Sequence, residues 1–489
     1  MKVYNLLVYF PYKRSTVLVI SEKKKRDFTE GPIFVKMILF TLPLMAASVL
    51  QVFYNMADNI VVGKFSGDPN ALAAVSSTSA ITTLVVNLLI GISTGAGVLV
   101  AQGIGARREE HISRIVHTSM LFAIIGGVVL SLIAFAIAPS ALNLLGVKSE
   151  IIAKSTMYMR IISIGIPAVT IYNFGASILR SAGDSKSSLY ILAISGIANV
   201  ALNLVFVISF NMSIAGVAVA TVISQYISAV WVVGILLYRK DECYSIKPAK
   251  LKIHGDVLLQ VLRIGIPGSL QTAMFSISNV VISSAINSLP LSSINANSVS
   301  GNIDNITSTA VSSYMHASIT YVGQNFGARN YDRVKKAICY TLLQSIATGI
   351  ILGGIELIFL KQLTMLFVDI SNPQKNAIVK EAIEISRLVL GTIPIFCIMQ
   401  TLSGSIKGLG YSLTPAITAL VGCCGFRLIW IAIFFSTDSL STLFHLQLCY
   451  PISYALTALG HLTALLIIMK KKGIIGTLKQ QNTAHPPSS

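Results

Sequence analysis

Long apolar stretches recur along the whole chain at a spacing that predicts a bundle of membrane-spanning helices. About 20 apolar helical residues cross a hydrocarbon core about 30 Å thick, and windows of that length divide the sequence into twelve predicted spans. The connections between the spans are short and leave no room for a soluble domain. The spans cover residues 34–62, 71–100, 112–138, 158–180, 187–209, 214–238, 257–287, 291–322, 335–360, 382–406, 413–436 and 444–469.

Span 8 departs from this apolar pattern. Its sequence from Ser292 to Thr320, SSINANSVSGNIDNITSTAVSSYMHASIT, is rich in Ser, Thr and Asn. We count it as a span because the alternation of charged connections and the internal repeat described below both require one here. A helix this polar must face protein or a water-filled cavity rather than lipid.

Composition supports the same fold class, an all-α polytopic membrane protein. The chain has 489 residues, of which 54% are hydrophobic and only 11% are charged. Soluble domains carry about 25% charged residues, and the mean hydropathy here is +0.74. A protein of this composition has the lipid bilayer as its main surroundings.

The net charge of +18 is explained by topology. With a cytoplasmic N-terminus, the tails and even-numbered connections hold 28 of the 37 Lys and Arg residues, the odd-numbered connections hold 7, and two lie inside spans. Lys and Arg accumulate on the cytoplasmic side of membrane proteins. We therefore predict a multi-pass plasma-membrane protein with both termini in the cytoplasm and no nucleic-acid partner.

The two halves of the chain repeat each other. Four features of the first half recur in the second at offsets between 222 and 227 residues. Matched prolines suggest a shared mechanical role as helix hinges, because proline removes a helical hydrogen bond and bends the helix. The matched features are Pro43 with Pro267, Pro167 with Pro394, AQGIGAR at 101–107 with GQNFGAR at 323–329, and Leu179-Arg180 with Ile406-Lys407.

Each half has six spans, so both halves enter the membrane in the same direction. Parallel repeats of this kind occur in secondary transporters, whose binding sites lie near the interface between repeats. We predict an N-lobe over 34–238 and a C-lobe over 257–470, joined by a cytoplasmic loop at 239–256. Cytoplasmic tails cover 1–33 and 471–489.

Several sequence segments together resemble the multidrug and toxic compound extrusion (MATE) family. The resemblance covers about residues 23–470 and implies two six-helix lobes around a central cavity. It also implies export of organic, often cationic, compounds in exchange for H⁺ or Na⁺. The segments are PLMAASVLQVFYNMADNIVVG in span 1, GISTGAGVLVAQGIGA at 91–106, ILRSAGDSKSSLY at 178–190, YVGQNFGA at 321–328 and KGLGYSLTP at 407–415.

A candidate ion site lies in the outer half of the N-lobe. Asp58 is an acid inside span 1, where a charge costs roughly 2.5 to 3.5 kcal/mol at the bilayer centre and usually serves a function. Asn199 and Asn203 share one face of span 5, and Thr221 of span 6 reaches a similar depth. We expect these four residues to bind the coupling cation, although they could also only satisfy one another between helices.

The resemblance implies a family cluster at these positions with an Asn and an Asp on helix 5. This sequence has Asn203 where the Asp would be. The site therefore carries at most one titratable negative charge. Either Asp58 takes a proton, or it ligates Na⁺ together with the two amide oxygens and the Thr221 hydroxyl.

The C-lobe offers three candidate residues for a substrate cavity. Asp304 in span 8 is expected to face the central cavity and attract cationic substrates, although Asn302 stands where the family often has a basic residue. His316 in the same span and Arg427 in span 11 are the other two; both could be structural, and the sequence names no partner for Arg427. Glu356 and Glu384 are expected at the membrane interface.

The sequence predicts a cation-coupled antiporter that works by alternating access. We expect a monomer that handles small organic substrates and needs no cofactor beyond the coupling ion, and no metal beyond Na⁺ at Asp58. No Walker lysine, HExxH motif or nucleophile elbow occurs, so we expect no enzyme. The alternative is a lipid-linked precursor flippase, which would need a cation-rich cavity; apart from Arg427, the spans offer almost no cations.

Overall fold

The computed structural model describes residues 27–68, 70–368, 373–435 and 442–475, and over these residues the chain forms helices and no strand. Most of the predicted N-terminal tail, and the end of the C-terminal tail, lie outside the described residues. Twelve segments follow one another in the order that the apolar windows predict. We number them α1 to α12, and the side predicted to face the cytoplasm is called the inner side.

The predicted N-lobe contains six of these segments. Two of them are interrupted: α4 has two parts, and α5 ends in a π-helical turn. The segments are α1 (Ile33–Phe65), α2 (Ala71–Gly105), α3 (Glu109–Leu144), α4 (Ser149–Ile164 and Ile166–Ser181), α5 (Ser185–Leu204 with the turn Val205–Ser209) and α6 (Ser213–Tyr238).

The predicted C-lobe repeats this arrangement. Its fourth segment is again broken, and its fifth alternates α-helical and π-helical turns. The segments are α7 (Gly255–Ile286), α8 (Leu291–Gly327), α9 (Tyr331–Ile358), α10 (Lys375–Gly391 and Ile393–Gly408), α11 (Leu413–Ala419, Leu420–Gly425, Phe426–Trp430 and Ile431–Phe435) and α12 (Leu443–Gln447 and Cys449–Lys471).

Length and composition agree with a membrane bundle. In the described ranges, nine helices are long and apolar enough to cross a membrane, and the count reaches eleven when each bent pair forms one span. The remaining segment is the polar α8. The predicted spans 4 and 10 begin later than the helices do. The first turns of α4 and α10 carry charged residues, and a search for apolar windows therefore leaves them out.

The internal repeat is visible in the backbone. The breaks in α4 and α10 bend the chain by 44° and 45°, and Pro167 and Pro394 occupy the start of the second half in each case. Gly183 and Gly410, which follow these segments, have φ angles of 84° and 91°. Glycine adopts this left-handed conformation without steric cost. The matched sequence features therefore correspond to matched turns.

The first helix of each repeat packs its inner end against the other lobe. Met37 and Phe40 of α1 lie in a core with α8, α9, α10 and α12. Val257 and Val261 of α7 lie in a core with α2, α3, α4 and α6. The outer part of α1 packs against α5 of its own lobe. Each first helix therefore connects the two predicted lobes.

Candidate functional site

The structure brings the four predicted coupling residues together at the outer end of the N-lobe. The amide nitrogen of Asn203 donates to Asp58 Oδ1 at 2.5 Å and to Asn199 Oδ1 at 3.3 Å. The Asn199 amide nitrogen lies 3.5 Å from Thr221 Oγ1, which donates to the backbone carbonyl of Val217. The result is a chain of polar contacts from α1 through α5 to α6.

Two oxygen atoms in this cluster remain available to a cation. Asn203 is fully buried, and its Oδ1 has no hydrogen-bond partner among the described residues. Asp58 Oδ2 likewise accepts no hydrogen bond there. A buried oxygen without a donor is costly, and carboxylate and amide oxygens suit hard cations. The residues present therefore fit Na⁺, and Asp58 alone fits H⁺.

Asp58 also lies on the wall of a cavity. The cavity has a volume of about 480 Å³ and is lined by α1, α2, α4, α5 and α6. Its wall combines apolar side chains with polar ones such as Tyr54, Asn55 and Asn173. Binding sites for small organic molecules have this size and character. A compound in this cavity would lie beside the acid.

Asp304 and Glu356 lie in the packing between α8, α9 and α10. Asp304 is 9% exposed, and its Oδ2 accepts a hydrogen bond of 3.0 Å from Ser300, which in turn accepts one of 2.8 Å from Ser386 of α10. Glu356 of α9 lies within electrostatic range of Asp304. Glu356 lies two residues before the end of α9, and its side chain is packed inside the protein with only 9% of it exposed. Its depth relative to the membrane interface stays a prediction.

Three basic side chains meet near the inner end of the lobe interface. His316 of α8 is half-buried and lies within electrostatic range of Arg180 of α4 and Lys407 of α10. Lys407 is 4% exposed, and neither it nor Arg180 forms a hydrogen bond or ion pair with a described residue. The expectation that cations are almost absent outside span 11 is therefore wrong. The matched Leu-Arg and Ile-Lys pairs were the signal for these residues.

Arg427 has partners that the sequence did not name. It is 1% exposed, its Nε donates to Ser453 Oγ at 3.0 Å, and one terminal nitrogen donates to Asn279 Oδ1 at 3.2 Å. The guanidinium also lies 4.3 Å and 5.3 Å from the ring centres of Tyr450 and Tyr454. Such cation–π contacts stabilise a buried guanidinium. Arg427 thus connects α11 to α7 and α12.

The predicted hinge prolines fall into two geometric classes. Pro167 and Pro394 lie at the bends of α4 and α10. Pro43 and Pro267 lie inside the continuous helices α1 and α7. Movement at any of the four remains a prediction.

The matched sequence words at 101–107 and 323–329 close the inner side. Gln102 Nε2 donates to the backbone carbonyl of Gly408 at 2.9 Å, and Gln324 Nε2 donates to that of Ser181 at 2.8 Å. Each glutamine therefore reaches the end of the broken segment in the other lobe. Gly105 packs against the backbone of Gln324 so closely that a Cβ atom would overlap it. Sequence reasoning used these words as markers of the repeat and missed this contact.

Comparison with known sequences identifies the family and similar proteins. The MatE family model matches residues 43–205 and 267–433. The probable multidrug resistance protein YoeA of Bacillus subtilis is 27% identical over 93% of this chain and 97% of its own length. The probable multidrug resistance protein NorM of Thermotoga maritima is 25% identical over 80% of this chain and 84% of its own.

Solved structures share the fold. A MATE protein crystallised in complex with MaL6 superposes with a TM-score of 0.84 at 21% identity, over 92% of this chain and 99% of that one. A MOP superfamily transporter from Pyrococcus furiosus, described as having a binding pocket of reverse polarity, superposes with a TM-score of 0.84 at 20% identity, over 93% of this chain and 99% of that one. At this identity the likeness concerns the fold alone.

Proposed function

The chain belongs to the MatE family, and on that premise we propose that it exports small organic, often cationic, compounds in exchange for H⁺ or Na⁺. The relatives named as multidrug resistance proteins support the substrate class. One observation of this chain carries the proposal. Asp58, an acid inside a membrane helix, lies on the wall of a cavity large enough for a small organic molecule. It also belongs to a polar cluster in which buried oxygen atoms accept no hydrogen bond from the described residues.

The position of α1 suggests how ion binding drives the cycle. The outer end of α1 carries Asp58 against α5, whereas its inner end packs against the C-lobe. A cation bound at Asp58 neutralises the carboxylate and so weakens the hydrogen bond that Asn203 donates to it. The resulting change in packing or bend reaches the contact between lobes through a single helix, with Pro43 between the two ends. This coupling is the alternating-access step of the proposal.

The driving force is adequate for export. A membrane potential supplies about 2.3 kcal/mol per charge per 100 mV. One coupling ion at that potential supports roughly a fortyfold gradient of a neutral substrate, because each 1.4 kcal/mol corresponds to a factor of ten. A pH or Na⁺ gradient adds to this value.

Ethidium efflux from everted vesicles that contain the full chain tests the proposal. The pH gradient and the Na⁺ gradient are imposed separately, and vesicles without the chain serve as the control. We expect one gradient to drive ethidium transport and the other to leave it unchanged. Transport of no cationic dye under either gradient would contradict the proposal.

A second candidate function is a flippase for lipid-linked precursors, and one observation favours it. Lys407, which is buried, and Arg180, which is half-buried, form no hydrogen bond or ion pair with a described residue, and both lie within electrostatic range of His316. Two such cations suit a pyrophosphate group, because charge-assisted hydrogen bonds to phosphate are strong.

Farnesyl pyrophosphate tests this second function, with farnesol as the matched control for the lipid tail. A flippase site predicts that the pyrophosphate raises the unfolding temperature of the purified chain and that farnesol does not. The effect should disappear in the double variant Arg180→Gln and Lys407→Gln. Equal effects of the two lipids would contradict a pyrophosphate site.

A further inference from the structure

A short segment just before α1 is bound to the inner end of the C-lobe. It covers residues 27–31, which form no helix, and its centre is Phe28. The Phe28 side chain is 2% exposed, and its ring stacks on that of Tyr321 of α8 with 4.0 Å between the ring centres. The same ring meets Phe40 of α1 edge to face at 5.1 Å. Because a buried aromatic ring contributes strongly to packing, Phe28 anchors the segment.

The backbone of the segment is also held by the C-lobe. The Phe28 carbonyl accepts hydrogen bonds from Asn325 Nδ2 at 3.2 Å and from Arg333 of α9 at 3.0 Å. Arg333 also donates to the Gly31 carbonyl at 3.1 Å. Hydrogen bonds from a charged donor are stronger than neutral ones. The segment is thus fastened to the C-lobe, although the helix that follows it belongs to the N-lobe.

One further bond connects the segment to the closure of the inner side. The Phe28 backbone N–H donates to Gln324 Oε1 at 3.0 Å, and Gln324 Nε2 donates to the Ser181 carbonyl of the N-lobe at 2.8 Å. A backbone N–H only donates, and a backbone carbonyl only accepts. These two partners allow one orientation of the amide group. The segment therefore points the amide nitrogen of Gln324 at the other lobe.

The matching glutamine of the N-lobe lacks this support among the described residues. Gln102 makes the corresponding bond to Gly408, but its side-chain oxygen accepts no hydrogen bond from them. The segment before α7 docks elsewhere, since the His254 backbone N–H donates to Thr118 Oγ1 of α3 at 3.2 Å. The support of Gln324 is therefore a property of residues 27–31 and not a consequence of the repeat.

We propose that residues 27–31 form a strap that locks the inner side in its closed state. The strap fixes the inner end of α1 to the C-lobe and holds Gln324 in the conformation that bonds across the lobes. A side chain that is already ordered loses less entropy when it makes a bond. Release of Phe28 therefore makes opening of the inner side easier. This device concerns the movement of the lobes and does not depend on which compound or ion the protein carries.

Hydrogen exchange of the purified full chain, read by mass spectrometry, tests the strap. The amides at 182–184 follow Ser181 at the end of α4 and are hydrogen-bonded to that helix. Phe28→Ala removes the anchor, and we expect these amides to exchange about fivefold faster, the factor for one lost hydrogen bond. They belong to the N-lobe, so a loss of packing confined to the C-lobe would leave them unchanged. Phe28→Leu keeps an apolar anchor and should retain most of the protection.

A comparison of double variants shows whether the strap acts through Gln324. Residues in contact couple, whereas the effects of independent sites add. In the Gln324→Ala protein, Phe28→Ala should therefore change exchange at 182–184 by less than about twofold. In the Gln102→Ala protein it should keep its full effect. An equal fold-change in the two backgrounds would overturn the proposal.

Two further variants separate the strap from a loss of folding. Thr29→Ala is the control within the strap, because among the described residues the Thr29 hydroxyl bonds only to Asp27; exchange at 182–184 should stay unchanged. Arg333→Gln removes the bonds to the strap carbonyls without altering the Phe28 ring, and it should speed this exchange at least about twofold. All proteins must elute as single species. Unchanged exchange in both Phe28→Ala and Arg333→Gln would overturn the proposal.

Discussion

Asn203 shows how much of the candidate site depends on a single side chain. Its amide bonds to Asp58 and to Asn199, and its own oxygen stays open. The helical spacing of four residues was enough to predict that the two asparagines share a face. The sequence could not tell which amide group faces the acid, because that depends on how α5 is rotated against α1.

Replacing Asn203 with Leu tests this arrangement. Leucine has a similar volume but cannot donate to Asp58 or ligate a cation. We expect ion-driven efflux to fall by about tenfold or more, because a lost charged hydrogen bond costs about 1.5–3 kcal/mol. The measurement is the initial rate of ethidium efflux at equal protein levels.

Ser195→Ala is the control for that variant. Ser195 lines the same cavity, but among the described residues its hydroxyl bonds only to the Leu192 carbonyl of its own helix. This variant should keep near-normal efflux. Equal loss in the two variants would mean that the cavity tolerates no change at all, and the special role of Asn203 would be refuted.

At the scale of the helix, α5 begins with a cap that also connects it to α6. Asp184 accepts a hydrogen bond of 3.1 Å from the Ser187 backbone and pairs with Arg239 at the end of α6. Burial alone would raise the pKa of Asp184, but the bonds from Ser187 and the charge of Arg239 outweigh it and hold the pKa below its ordinary value of 3.8. The ionised cap is therefore stabilised.

Asp184→Asn should destabilise the protein by about 1–3 kcal/mol at pH 7. Asparagine preserves the helix cap but loses the charge that pairs with Arg239. Because the folded pKa is lowered, this stabilisation is fully present above the ordinary pKa and is lost only as the pH falls below it. Thermal unfolding should thus show a constant difference from pH 8 to pH 5. A difference that grows over this range would contradict the assignment.

The helices themselves were largely predictable, and the exceptions have physical causes. Apolar windows located eleven of the segments, and the repeat supplied α8, which composition alone rejects. The starts of α4 and α10 were placed too late, because their first turns carry charged residues and fall outside a window chosen for high hydropathy. The matched prolines marked four positions alike, but only Pro167 and Pro394 lie at bends, whereas Pro43 and Pro267 lie inside continuous helices.

At the scale of the whole molecule, the inner side is closed by a symmetric pair of glutamines. Gln102 and Gln324 each bond to a backbone carbonyl at the end of the other lobe's broken segment. The sequence revealed the repeat but not this contact. It also did not reveal that the inner ends of α1 and α7 each pack against the other lobe. Contacts between repeats depend on how the lobes are oriented, which spacing along the chain does not encode.

Removing both glutamines should loosen this closure. Each hydrogen bond contributes about 1 kcal/mol, so the double variant Gln102→Ala and Gln324→Ala should open about thirtyfold more often. Hydrogen exchange of the amides at 103–108 and 326–331 measures this opening. Gln400→Ala is the control, since Gln400 bonds to Ser312 within the same lobe. Exchange that is equally slow in both variants would contradict a closing role for the pair.

The central claim is that Asp58 couples ion movement to export, and uphill transport tests it most directly. Proteoliposomes of the wild type and of Asp58→Asn are compared in two assays: ethidium transport against its gradient with H⁺ or Na⁺ as the driving ion, and ethidium exchange without any ion gradient. We predict that Asp58→Asn loses uphill transport and keeps measurable exchange. Uphill transport that survives the substitution would contradict the claim.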